Sequence, residues 1–261
     1  WTPDLTGRRL IRWINHGFFI MRSREKVDID KYLTSLARQT LFLSRRWKST
    51  LPGLPRFEAL SGMIYAGLSL EGVSSHVAPA LVALSRDCRD QIDAEGGLQT
   101  RNPEELWDVL TLLCWVVQAL QESDRSVPET VTAAINRIAP TLRAMRHADG
   151  GLARFHGGGR GIDGRLDYAL GASGNKDLPD HSRHMGYGRL AAGRTTVVID
   201  AAPPPTGQAS YDAHASTCAF ELTSGRRPVV VSCGSGRNFG TDWRRFGRAT
   251  ASHSTLSLAG Y

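Results

Sequence analysis

The stretch Thr195–Ala201, with the sequence TTVVIDA, has the strongest β-strand character in the chain because β-branched residues dominate it. Three other short runs also predict strands: CAFEL at 218–222, PVVVSC at 228–233 and STLSL at 254–258. Glycine, proline and serine turns separate them and predict an antiparallel β-sandwich in the C-terminal part. Four or five strands fill a sandwich only partly, so we expect a fragment of a longer protein.

The first half of the chain has the apolar periodicity of α-helices. The pattern covers six segments, which are Arg8–Met21, Ile29–Trp47, Phe57–Leu70, Val77–Ile92, Pro103–Leu120 and Pro128–Met145. The last two segments begin with Pro followed by Glu, which is typical of a first helical turn. Six helices joined by short loops favour three antiparallel hairpins, as in a bundle, a solenoid or part of an α/α toroid.

Glycine content divides the chain, with eight glycines in the first 149 residues and nineteen in the remainder. We therefore predict a helical domain at 1–148, a glycine-rich interdomain loop at 149–183 and a β-sandwich domain at 184–261. The run GGGRG at 157–161 lacks the lysine of a phosphate-binding loop and follows no strand. A loop whose backbone comes close to a ligand is the preferred interpretation.

Arginine accounts for 28 of the 32 basic residues, and the formal net charge is +7. Guanidinium groups pair bidentately with carboxylate, sulfate or phosphate groups, which points to an acidic ligand. Arginine codon usage in a GC-rich genome is the open alternative. The arginines are spread over both halves without a helix-turn-helix, RNA-recognition or zinc motif, so nucleic acid is not an expected partner.

No segment has the character of a membrane span or a disulfide framework. The longest apolar run, Val109–Leu120, has about 12 residues and contains Gln118, so it is too short to cross a bilayer. The chain begins at Trp1 within mature sequence, and we expect no signal peptide in it. The four cysteines show no CxxC spacing, which argues against a zinc knuckle and a disulfide scaffold.

Three motifs in the C-terminal part resemble, in order, those of one enzyme family. AHASTCAFEL at 213–222 resembles H-x-H-A-D-x-L-S-F-E-L, GRRPVVVSCG at 225–234 resembles G-x-P-L-L-V-D-x-G, and RATASHSTL at 248–256 resembles R-x-T-x-x-H-N-T-V. DGGLARF at 149–155 and EGG at 95–97 are looser similarities. The family is the heparinase II/III-like polysaccharide lyases, whose architecture is an α/α toroid followed by an antiparallel β-sandwich.

The resemblance implies cleavage of an acidic, uronate-containing polysaccharide by β-elimination, in the periplasm or cell envelope. Such a reaction neutralises the uronate carboxylate, removes the proton from the adjacent carbon and protonates the departing glycosidic oxygen. The family pattern implies a tyrosine and a histidine for proton transfer, and an asparagine or histidine near the carboxylate. For some members of the family, the pattern also implies a metal ion held by two histidines and an aspartate.

The strand motifs match that site only in part. His214 falls on the second histidine of the first motif, a ligand in metal-bearing members, and His253 falls on the histidine of H-N-T. Ser232 stands where the aspartate ligand is expected, and Asp212 where the proton-transferring histidine is expected. Because Asp212 offers an oxygen ligand, the tentative set for a structural zinc or calcium ion is His214, His253 and Asp212.

The helical half departs further from the pattern. The family's tyrosine aligns with Glu105 and the following histidine with Leu106, while the N-N-H helix start aligns loosely with residues 55–57. The aligned positions therefore lack the expected tyrosine, asparagine and histidine, and other groups would have to perform the chemistry.

Chemistry-bearing residues near the motifs are the candidates. For proton transfer we predict His214, His156, Tyr211 and Glu105. For contact with the substrate carboxylate we predict Arg56, Arg101, Arg154 and Asn102. Structural explanations stay open, because Asn102 is also a natural N-cap, Glu105 favours a helix dipole, and histidines inside a sandwich often only pack.

Two functions remain. The first is a heparinase II/III-like carbon–oxygen lyase that cleaves an acidic polysaccharide. The alternative is a non-catalytic, acidic-glycan-binding relative that has lost the lyase tyrosine. Both predict an acidic polysaccharide or oligosaccharide as partner and leave the oligomeric state open.

Overall fold

The N-terminal part of the chain is helical, as its periodicity predicts. The computed structural model describes residues 1–179 and 183–257, and its first seven helices are α1 (Pro3–Asn15), α2 (Gly17–Met21), α3 (Lys26–Arg46), α4 (Leu54–Ser69), α5 (Val77–Gln91), α6 (Pro103–Glu122) and α7 (Glu129–Ala144). The helix predicted at 8–21 is divided because the backbone at His16 leaves helical geometry, with φ −101° and ψ 11°. No helix within the described ranges combines the length and the apolar character needed to cross a membrane.

By packing, the chain forms two compact units. The first contains residues 1–91 and 111–133, and the second contains residues 92–110 and the described residues from 134 onward. The domain boundaries predicted at 148/149 and 183/184 rest on the glycine content of the sequence, and they stay a prediction. The first part of α6, residues 103–110, and the last part of α7, residues 134–144, thus belong to the same unit as the strands.

In the first unit, α1 and α4 meet at their backbones. A Cβ atom at Gly7 would lie 2.2 Å from the carbonyl oxygen of Glu58, and one at Gly62 would lie 2.4 Å from the Gly7 Cα. Glycine at both positions therefore permits a contact that any side chain would prevent. Every residue from Phe57 to Gly67 is buried, so α4 is the core helix of this unit.

The second unit contains a four-stranded antiparallel sheet. Its strands follow chain order: β1 (Tyr187–Ala192), β2 (Thr195–Asp200), β3 (Phe220–Ser224) and β4 (Arg227–Val230). Val198 of β2 lies opposite Arg189 of β1 and Glu221 of β3. The side chains of Thr196, Val198 and Asp200 are buried on one face of β2, which gives it the alternation of a half-buried strand. A helical region followed by an antiparallel sheet confirms the predicted fold class.

The predicted strands differ from the observed ones at both ends of the sheet. The structure adds β1, whose sequence YGRLAA has little β-branched character. Of the strand predicted at 254–258, residues 254–257 are not a strand, and Leu258 lies outside the described residues. The hydroxyl of Ser254 donates a hydrogen bond to the Phe220 carbonyl. A side-chain hydrogen bond therefore links this segment to β3, in place of the backbone hydrogen bonds that a strand pair would form.

Two glycine turns repeat the same structure. IDAEGGL at 92–98 and RHADGGL at 146–152 each close with one isolated β-bridge between first and last residue. Gly96 and Gly150 have φ of 76° and 93°, a region that favours glycine. Two short helices complete the second unit, α8 (Arg165–Ala172) and α9 (Thr241–Gly247).

Candidate active site

Asp200, at the end of β2, is the centre of a buried polar network in the second unit. Its carboxylate is fully enclosed and pairs with the guanidinium of Arg101. Ser216 Oγ donates to Asp200 Oδ2 at 3.0 Å, and His156 Nε2 lies 3.3 Å from the same oxygen. Burial alone would raise the pKa of Asp200, but the hydrogen bond from His156 and the charge of Arg101 hold it below its usual value. Asp200 is therefore a buried anion whose charge and hydrogen-bond partners are side chains of the same unit.

Arg101 has a structural role in place of the predicted substrate contact. It is only 8% exposed, and each of its five N–H groups has an acceptor. The acceptors are the Asp200 carboxylate and four backbone carbonyls, those of Met185, Gly186, Ala202 and Pro203. The guanidinium also lies 4.7 Å from the centre of the Tyr187 ring. No donor remains for a substrate carboxylate.

Asn102 is the N-cap of α6. Its Oδ1 accepts hydrogen bonds from the backbone N–H of Glu104 at 2.9 Å and of Glu105 at 3.3 Å. The side chain is buried, so the structural explanation of Asn102 holds, and its contact with a substrate carboxylate stays a prediction. The two remaining arginines also have internal partners. Arg154 lies 4.0 Å from the buried Glu221, and Arg56, in the first unit, donates to Thr50 Oγ1 at 2.6 Å.

The structure brings three predicted histidines together in a row formed by His156, His214 and His253. The ring centres of His156 and His214 are 5.9 Å apart, and His214 stacks on His253 at 4.7 Å. His156 Nδ1 accepts from the backbone N–H of His214 at 3.1 Å, and His214 Nε2 accepts from the N–H of Gly157 at 2.9 Å. In the neutral ring the proton of His214 is thus on Nδ1, a buried atom without a partner in the described part of the chain.

Burial makes this histidine row a set of weak bases. It lowers the pKa of His214 to about 3, and the nearby His253, His156 and Arg248 act in the same direction. Burial also lowers the pKa of His156 and of His253. All three rings are therefore neutral at pH 7.

The tentative metal set is not assembled. The carboxylate of Asp212 is engaged by two arginines, with Arg244 Nη2 at 3.0 Å and Arg237 Nη1 at 3.3 Å. Ser232 Oγ lies 3.2 Å from His253 Nδ1, and a hydroxyl is a weaker ligand than the aspartate implied by the resemblance. Within residues 1–179 and 183–257, no three His, Cys, Asp or Glu side chains are placed to hold a metal ion. The residues present do not fit that metal.

A cavity of about 550 Å³ lies beside the histidine row. His214 lines it together with three arginines from α9 and the residue after it, which are Arg244, Arg245 and Arg248. Arg248 Nε donates to the Ala213 carbonyl at 2.7 Å, whereas the exposed Arg245 guanidinium has no partner in the described part of the chain. We call this space the arginine cavity; it can accept an anion.

Tyr211 and Glu105, the two other predicted proton-transfer groups of this region, do not line the arginine cavity. The Arg244 guanidinium lies 4.3 Å from the centre of the Tyr211 ring, and Tyr211 is 67% exposed. Burial raises the pKa of Glu105, a hydrogen bond from Thr100 opposes that shift, and the charges of Asp212 and Arg237 also act on it. Arg244 of α9 thus contacts both Tyr211 and Asp212, and the sequence patterns did not single out this helix.

Comparison with known proteins agrees with the resemblance found in the sequence. Residues 176–261 match the family model described as "Heparinase II/III-like, C-terminal". FtsZ-localized protein C of Caulobacter vibrioides is 29% identical over 238 residues, which cover 90% of this chain and 41% of that protein.

Solved structures show the same fold at low sequence identity. The crystal structure of heparinase III matches 99% of this chain and 47% of that chain, with a TM-score of 0.79 and 15% identity. Heparan sulfate lyase HepC from Pedobacter heparinus gives a TM-score of 0.68 and 16% identity over 99% of this chain and 45% of its own. The chain spans less than half the length of these relatives.

Proposed function

We propose that the protein is a carbon–oxygen lyase acting on an acidic, uronate-containing polysaccharide, since residues 176–261 match the heparinase II/III-like C-terminal family model. The observation that carries the proposal is the arginine cavity, where Arg245 is unpaired and His214 forms part of the wall. Guanidinium groups bind carboxylate and sulfate groups bidentately, so the cavity suits a uronate. A location of the protein in the periplasm or cell envelope, where it would meet this substrate, stays a prediction.

In the proposed reaction, arginine neutralises the uronate carboxylate. The electron pair left by the departing proton is then stabilised on the carboxylate oxygens. A base takes the proton from the carbon next to the carboxylate, a carbon–carbon double bond forms, and the glycosidic C–O bond breaks. The leaving oxygen takes a proton from an acid, so the products are an unsaturated uronate and a free hydroxyl.

Tyr211 and Glu105 are the proton-transfer groups we assign. Tyr211 is exposed, and the Arg244 guanidinium lies over its ring, 4.3 Å from the ring centre. Partial burial raises the pKa of the Glu105 carboxyl, which brings it closer to the working range of a general acid or base. His214 is neutral and enclosed, and we assign it to the cavity wall.

The purified chain should release unsaturated oligosaccharide, followed by ultraviolet absorbance, from heparan sulfate or a polyuronate. Tyr211→Phe should lower turnover by about a hundredfold, the loss typical of a removed general acid or base. Arg245→Ala should weaken substrate binding by about tenfold, the effect of losing a charged hydrogen-bond donor. Arg38→Ala, an exposed arginine on α3, is the matched control and should change neither.

A second candidate is a non-catalytic, acidic-glycan-binding protein. It is favoured by the neutral, enclosed histidine row and by Glu105 at the position of the expected tyrosine. Binding of uronate oligomers that depends on Arg245, with no unsaturated product from the same panel, would decide for this candidate.

A further inference from the structure

A second cavity in the same unit has a basic lining of its own. Its volume is about 630 Å³, and it shares no lining residue with the arginine cavity. Four cationic side chains line it, which are Arg143, Arg146, Lys176 and Arg189. Asp167 is the acidic side chain in this lining, and both of its oxygens lie within 3.0 Å of Arg146 Nη2. The lining therefore has an excess of positive charge.

Arg189 is a partly buried cation without a carboxylate partner. Its Nη1 donates to the backbone carbonyls of Ala144 and Arg146, both at 2.9 Å, near the end of α7. Its Nε and Nη2 have no acceptor, and no acidic side chain pairs with it, in residues 1–179 and 183–257. Burial lowers the pKa of Arg189, which is the electrostatic cost of this unpaired position.

Two other polar atoms at the cavity are buried and have no partner in the described part of the chain. Arg146 Nε has no hydrogen-bond partner in the described part of the chain although its Nη2 holds Asp167. His147 is 5% exposed; its Nε2 lies 2.7 Å from Glu221 Oε2, and its Nδ1 has no partner there. Buried polar atoms normally find a partner, so the Arg146 Nε donor points to an anionic ligand. His147 Nδ1 is an acceptor when Nε2 donates to Glu221, and it adds no donor to the cavity.

We propose that this second cavity binds a tetrahedral oxyanion, a sulfate or phosphate group, through Arg146, Lys176 and Arg189. Guanidinium groups place paired N–H donors opposite the oxygens of such a group, and Lys176 adds a mobile charge at the rim. Exposed Lys176 has no partner in the described residues, so it is available to the ligand without loss of an internal contact.

The test is titration of the chain with sodium sulfate or sodium phosphate against sodium chloride of equal ionic strength, followed by two-dimensional amide NMR. Both oxyanions should shift the backbone amides of Gly171 and Asn175, which line the cavity. Lys176→Ala should raise the dissociation constant about threefold, and Arg189→Gln about tenfold. Lys26→Ala, an exposed lysine on α3, should change nothing.

A sulfated disaccharide distinguishes the two sources of the oxyanion. Tighter binding than inorganic sulfate identifies a sulfate ester as the ligand, and binding of phosphate alone identifies a phosphate. Absent shifts at Gly171 and Asn175 with every anion, or shifts that persist unchanged in Lys176→Ala, would overturn the proposal. Arg245→Ala should leave these shifts intact, so failure here is separable from failure of the lyase proposal.

Discussion

Asp200 and Asp212 are both held by arginine, yet they differ in how much water reaches them. Asp200 is fully enclosed, and the side chain of its partner Arg101 is 10% exposed. The side chain of Asp212 is 16% exposed, and those of its partners Arg237 and Arg244 are 62% and 25% exposed. A buried ion pair is costly to break because the remaining charge stays unpaired, whereas an exposed pair exchanges readily with water or a ligand. The difference marks Asp200 as structural and Asp212 as part of a surface that can respond to an anion.

The largest expected effect comes from removing the buried charge. Asp200→Asn leaves the enclosed Arg101 without its counter-ion and should lower the free energy of unfolding by about 3–5 kcal/mol. Urea denaturation followed by circular dichroism measures the change. Asp28→Asn, which breaks the exposed pair with Lys31, is the matched control and should cost at most about 1 kcal/mol. Equal losses in the two variants would show that burial does not distinguish these pairs.

The histidine row beside Asp200 should make stability depend on pH. The pKa of His214 is about 3 in the folded state against an ordinary value of 6.5, so the unfolded chain binds a proton that the folded chain excludes. The stabilisation is complete above pH 6.5 and is lost as pH falls from that value toward 3. From pH 7 to pH 5 the loss from His214 should be about 2 kcal/mol, and the lowered pKa values of His156 and His253 act in the same direction.

Denaturation at a series of pH values checks this dependence. His214→Gln should flatten the slope between pH 7 and pH 5, because the group that excludes the proton is gone. His16→Gln, an exposed histidine between α1 and α2, should leave the slope unchanged. A stability that is constant over this range in the unsubstituted chain would contradict the enclosed, neutral state of the row.

Local pattern was sufficient for α3 to α7 and for β2, because amphipathic spacing and β-branched residues act within a few positions, but it did not predict the short helices α8 and α9. It was insufficient for β1, where Gly188 and Arg189 carry no strand signal and pairing with β2 supplies the stability. Asn102 was recognisable as an N-cap from its place before a proline, and the structure confirms that explanation.

The site depended on pairs that sequence spacing does not reveal. Arg101 and Asp200 are 99 positions apart, and His147 and Glu221 are 74 apart. No periodicity links such residues, since the fold alone brings them together. His214 and His253 of the histidine row were predictable from the motif resemblance, but their low pKa values arise from burial, which the motifs did not show.

The smallest effect on stability, and the sharpest test of the comparison, is expected at Asp212. Asp212→Asn should change the free energy of unfolding by less than about 1 kcal/mol, because its arginines are partly solvated. It should also tighten binding of a uronate oligomer about threefold, since Arg237 and Arg244 lose a competing carboxylate. Asp242→Asn, an exposed carboxylate on α9, removes the same charge without freeing an arginine and serves as the control. A loss of stability comparable to that of Asp200→Asn would mean that Asp212 is a structural anchor, and equal tightening in both variants would assign the effect to net charge.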